Sequence, residues 1–166
     1  MKRPVRRLPW FLTAPLVWVS VLPAWWWLRR HEARILSLGR PLDDDEWHDA
    51  VSAGVRAPER IRVIVTSPLP TPGAALLKGL AKVTRFPLDP PLGMALGYGI
   101  YLDESVAENR STFVHECVHV AQFETIGGRL KFLSRYLHEC IGGSYWTSAM
   151  EAEANEMSAE ICSHPL

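Results

Sequence analysis

His115, Glu116 and His119 stand together in the stretch HECVH. On an α-helix, residues four apart lie one above the other on the same face. Two imidazoles placed so can share one metal ion, and zinc accepts neutral imidazole nitrogen at about 2.0–2.1 Å. Glu116 is rotated by one residue, so it can reach a water at the ion without ligating the ion itself. Such a set suits hydrolysis, in which the metal activates a water and the carboxylate takes its proton. Phe113, Val114, Val118, Ala121 and Phe123 surround the motif, which predicts a buried helix. Buried His and Glu need partners, because an unpaired charge in an apolar setting is costly. A metal would satisfy all three. The competing reading is a hydrogen-bonded polar network in a core without metal.

A catalytic zinc takes three protein ligands and keeps one position open. Glu151 and Glu153, at the start of the last expected helix, are the candidates for the third. They are two apart and point to different faces, so one ligates and the other is expected on a solvated face or complementing the helix dipole. Gln122, three residues after His119, faces roughly the same side and is a candidate donor or cleft wall. An oxyanion formed during hydrolysis needs a donor beyond the metal. Tyr145, which follows the Gly142, Gly143 break, is the first choice. Tyr136 is the second, its place in the apolar stripe of FLSRYL pointing to core packing. Cys117 lies nearly opposite His115 on the helix and is excluded as a ligand. With Cys140 and Cys162 it makes an odd count without a CxxC pair, which excludes a thiolate zinc site and a disulfide framework.

The elements that must position these residues are partly visible. Helices are predicted over 108–126, 129–141 and 149–162, separated by glycine pairs at 127–128 and 142–143. Residues 61–67 (IRVIVTS) and 97–103 (GYGIYLD) read as strands. The second is expected either at a sheet edge, where a peptide could add as a further strand, or inside the sheet. FPLDPPLG reads as a loop, and a helix is expected over 73–84. Asp43 and Glu46 fit a capping box before an apolar run, a better account of the Asp run than a metal cluster.

Residues 8–28 contain no charged residue and match the ~20 residues that span a bilayer. Trp25, Trp26 and Trp27 lie at one end, followed by Arg29 and Arg30, as in an aromatic belt with basic flanks. The expectation is a single N-terminal membrane anchor, against a signal peptide or an apolar arm packed on the domain of a cytoplasmic protein. Pro9, Pro15 and Pro23 weaken the helix, and no small-x-small cleavage site follows. A short helix is predicted from 29 to Gly39. Equal numbers of basic and acidic residues, 18 each, argue against a nucleic-acid binder.

HECVHVAQF, a glycine break, FLSRYL and EAEAN together resemble a minimal gluzincin-type zinc metallopeptidase. The pattern is similar to the eCIS-core metallopeptidase domain and, over the short motifs, to HtpX-like membrane proteases. The resemblance covers roughly residues 95–160. It implies a zincin-like α+β fold, with a small sheet, an active-site helix and further C-terminal helices. It also implies zinc on His115, His119 and Glu151, with Glu116 as general base acting on a peptide or protein substrate. Asn155 stands where those families carry an acid that orients a ligand histidine. The domain organisation expected is an apolar segment with a linking helix over 1–39, then a metallopeptidase domain over 40–166. The rival function is a non-catalytic zinc-binding scaffold or partner-binding module, for which Glu116 would have no use.

Overall fold

The computed structural model describes residues 10–71, 91–142 and 148–164. The fold is α+β, with five α-helices and a three-stranded sheet among the described residues. In chain order these are α1 (Trp10–Leu38), α2 (Asp44–Ser52), β1 (Arg62–Val65), β2 (Gly93–Leu96) and β3 (Gly99–Leu102). The helices α3 (Arg110–Ile126), α4 (Arg129–Gly142) and α5 (Ala149–Cys162) follow. The helix expected over 73–84 lies outside the described residues.

The sheet order is β1-β3-β2, with β3 parallel to β1 and antiparallel to β2. Central position explains why every residue of β3 is buried. Of the two placements open to GYGIYLD, edge or interior, the structure has the interior one: Gly99–Leu102 is central and Gly97 with Tyr98 makes the turn. The edge is β2, which begins at Gly93, the last residue of the expected loop FPLDPPLG. On the opposite side, Arg40 exchanges both main-chain hydrogen bonds with Val63, at 3.0 and 2.9 Å, and so covers part of β1. Among the described residues, the β2 edge has no such partner strand.

Alternation along the strands separates two hydrophobic layers. Val63, Ile100 and Leu102 face α3 and α5, where they join Phe113, Val114 and Met150 in one cluster. Leu96 and Tyr101 face α1, where they meet Leu28 and Ile35. The sheet is thus sandwiched between α1 and the α3–α5 pair.

The apolar N-terminal run and the short helix predicted after it form one continuous helix of 29 residues. It passes through Pro15 and Pro23 and stops at Leu38, beside the expected Gly39. From Val21 onward it is part of the fold: Val21 is 2% exposed, Leu28 4% and Ile35 0%. No helix among the described residues is long and apolar enough to cross a membrane.

Gly97 has φ +66°, a conformation that L-residues with side chains rarely adopt. A Cβ there would also overlap the Glu32 carboxylate. Glu32, 1% exposed, reaches from α1 under this hairpin turn. It accepts a 3.4 Å bond from the Tyr98 amide and pairs with both Arg129 Nε and Nη2, the latter at 3.0 Å. One buried carboxylate thus ties α1, the hairpin and the start of α4.

The capping box is present at α2: Asp43 Oδ1 accepts from the Glu46 amide at 2.9 Å, and Glu46 Oε2 accepts from the Asp43 amide at 3.1 Å. Asp43→Ala is expected to lower stability by about 1 kcal/mol, the usual cost of losing such a cap, in chemical denaturation.

Candidate metal centre

α3 starts at Asn109, whose side chain accepts from the Thr112 amide at 3.1 Å. It ends at Gly127. Apolar residues cover most of its circumference, so it is buried between the sheet, α4 and α5. His115 and His119 project from it towards the first turn of α5. Ser148 caps that turn, accepting from the Glu151 amide at 3.4 Å. Its hydroxyl in turn donates to Glu139 Oε2 at 2.9 Å, and the Met150 amide donates to the same oxygen at 3.1 Å. Glu139, on α4, thereby fixes where α5 begins and so where Glu151 points. Burial would raise the Glu139 pKa, but the bonds from Met150, Arg135 and Ser148 outweigh it and hold the carboxyl below its ordinary value.

His115, His119 and Glu151 come together, their ligand atoms all within 4.8 Å of one another. The two Nε2 atoms are 3.2 Å apart. Glu151 Oε2 is 3.4 Å from His115 Nε2, and Oε1 is 3.5 Å from His119 Nε2. A tetrahedral ion with bonds of about 2.05 Å separates its ligands by about 3.3 Å. The two imidazole nitrogens are at that spacing, and a single Glu151 oxygen must close up from within 4.8 Å to complete the face. Tyr136 Oη donates to Glu151 Oε1 at 2.8 Å, which leaves Oε2 as a buried oxygen with no hydrogen bond. An unsatisfied buried carboxylate oxygen 3.4 Å from an imidazole nitrogen fits a cation.

The tautomer of His119 follows from its neighbours. Gln122 Nε2 donates to Met150 O at 3.0 Å and to Glu153 Oε2 at 2.8 Å, and those two acceptors fix the amide's orientation. Its Oε1 must then accept from His119 Nδ1, at 2.9 Å. With Nδ1 carrying the proton, neutral His119 presents the lone pair of Nε2 to Glu151 and His115, which is what a metal ligand requires.

Without metal the site holds its charge differently. Burial would push the His119 pKa down, but the hydrogen bond to Glu151 and the charges of Glu116 and Glu151 outweigh it and raise it to about 9. For Glu151 burial acts upward, and the close imidazoles of His115 and His119, with the Tyr136 hydroxyl, hold the carboxyl well below the usual range. Glu116 is 6% exposed, and burial raises its pKa above the ordinary value despite the two nearby histidines.

Glu116 lies against the edge strand. A Cβ at Gly93 would come 2.9 Å from Glu116 Cγ, so the strand approaches this closely only because Gly93 has no side chain. The Ala95 backbone lies against the Glu116 carboxylate and favours its charged form. In the antiparallel register Ala95 faces Ile100 at a position whose amide points away from β3. The acid therefore occupies a free hydrogen-bonding position of the edge.

The remaining sequence-predicted residues divide between the site and its surroundings. Asn155 is exposed, and among the described residues its side chain makes no hydrogen bond to His115 or His119. The acid that steadies a ligand histidine is Glu153, acting through Gln122. Glu153 is thus not merely a solvated acid. Tyr136 combines core packing, stacked on Phe132 with ring centroids 6.1 Å apart, with direct contact to Glu151. Tyr145, the first choice for an oxyanion donor, lies outside the described residues. Cys117 is fully buried in the core, away from the triangle, and burial pushes its thiol well up. Glu139 was not among the sequence-predicted site residues. Nothing local marks it, since its partners stand nine and eleven residues further along the chain.

Comparison of the chain with protein-family models, curated proteins and solved structures finds no match.

Proposed function

We propose that this chain is a zinc-dependent peptidase of minimal, zincin-like design, cleaving a peptide or protein substrate with Glu116 as general base. The observation that carries this reading is the buried His115–His119–Glu151 group, with one ligand atom from each within 4.8 Å of the others and the two Nε2 atoms 3.2 Å apart. Zinc held there supplies Lewis acidity and brings the pKa of a coordinated water towards ~7.

The remaining roles belong to the chain's own residues. Gln122 holds His119 in the ligating tautomer, and Tyr136 turns the free oxygen of Glu151 towards the imidazoles. Glu116, its proton affinity raised by burial, accepts a proton from the attacking water and passes it to the leaving amine. The edge of β2 is the track for substrate. A peptide adding there as a further strand is held by main-chain hydrogen bonds that do not depend on its sequence. To bind, it takes over the Ala95 position that Glu116 occupies, which releases the carboxylate as the substrate arrives. A non-catalytic zinc scaffold offers no return for burying Glu116.

Glu116→Gln keeps the shape and removes the base. Hydrolysis of a mixed-sequence fluorogenic peptide library is expected to fall at least ~10²-fold, with zinc content unchanged. Activity that survives in this variant would remove Glu116 from the mechanism. Failure of the unaltered chain to bind zinc would remove the enzyme reading altogether.

A further inference from the structure

We propose that the outward face of α1, together with the start of α4, is a docking surface for an anionic lipid bilayer. The helix lies along the membrane surface and does not cross it. This inference is independent of the peptidase reading.

Four exposed large apolar side chains gather here. Leu22 is 69% exposed, Trp26 59% and Leu36 39% on α1, and Leu130 is 48% exposed on α4. At about 100° per residue, the three on α1 fall within an arc of roughly 80°, so they form one stripe. Arg29 and Arg30 are exposed beside it. Their guanidinium carbons sit 5.4 and 5.5 Å from the ring centroids of Trp25 and Trp26. Between α1 and the turn into α4 is a cleft of about 690 Å³, lined among others by Trp25, Arg29, Leu36, Leu130 and Lys131.

Charge identifies the occupant. Residues 21–38 contain one acid, Glu32, which is 1% exposed and consumed by Arg129. Residues 127–131 contain none. The exposed charges of this face are therefore all positive, although the whole chain is neutral. A second copy would bring the same cations against themselves across a two-fold axis, which disfavours self-association. Tryptophan and arginine side by side suit the boundary between headgroups and acyl chains. The sheet stands between this face and the layer that carries α3, so docking leaves the His–His–Glu triangle turned away from the lipid.

The test is co-sedimentation of the full chain with vesicles of phosphatidylcholine alone or with one third phosphatidylglycerol. Binding to the anionic vesicles is expected to be at least tenfold tighter and to weaken with salt, each basic residue near the surface adding several-fold. Arg29→Glu with Arg30→Glu should remove that preference. Trp26→Ser, at an exposed position, should weaken binding to both vesicles while circular dichroism stays unchanged. Equal binding to the two vesicle types, or none, would overturn the proposal. So would binding that survives these substitutions and high salt, which would point to insertion of the upstream apolar run. Dimerisation abolished by Trp26→Ser would assign the face to a second copy instead.

Discussion

The unaltered chain is expected to keep about one zinc ion through dialysis against metal-free buffer, and a chain carrying Glu151→Ala is expected to lose it. Two imidazoles alone leave the ion without its only anionic ligand. The loss should therefore exceed the ~10–100-fold typical of removing a residue that merely orients a ligand. Tyr136→Phe and Gln122→Leu are expected to fall within that smaller range, giving a graded series. Chelator competition measures it. Equal affinities across the series would mean that the triangle is not the site.

The same measurement has a pH dependence of known sign. His119 is protonated below about 9 in the metal-free chain, and it must lose that proton to ligate. Zinc uptake at pH 7 is therefore expected to release a proton. Apparent affinity should rise by up to about tenfold per pH unit from 7 to about 9 and then level off. Calorimetry in buffers of different ionisation enthalpy reads the proton directly.

Arg129→Ala is expected to destabilise the fold by about 3–5 kcal/mol, and more than Glu32→Ala does. The two side chains differ in exposure, 40% for Arg129 against 2% for Glu32. Removing the arginine strands a carboxylate out of reach of water. Removing the glutamate leaves a cation that can turn towards solvent, at a cost nearer 1–2 kcal/mol plus the weakened Tyr98 contact. Chemical denaturation of the metal-free chain decides it. Equal losses, or a greater loss for Glu32→Ala, would mean that hairpin support rather than charge burial dominates.

Local pattern was enough for the helices that carry the site. HECVH lies where apolar spacing put it, and the starts of α4 and α5 follow glycine breaks or a serine cap that can be read directly. β2 was not readable, because Gly-Met-Ala-Leu has no β-branched residue and no alternation. It is a strand because Gly97 turns the chain and β3 supplies partners. The polar links behind the ligands were hidden for the same reason: Gln122 reaches Glu153 across 31 residues of chain, and Tyr136 reaches Glu151 across 15. Asn155 holds a motif position, while the acid linked to His119 through Gln122 is Glu153, two residues earlier on the same helix. α1 was divided at Arg29 because its hydropathy changes there, although the backbone continues unbroken.

That continuity decides what a proteolytic cut in α1 does to the domain. Here Leu28, Glu32 and Ile35 fill one side of the sheet, with exposures of 4%, 1% and 0%. Each apolar one of these contributes roughly 1.5–3 kcal/mol. A cut within residues 21–38 would carry part of the core away with the N-terminal run. Clipping this helix and unfolding the domain become the same event.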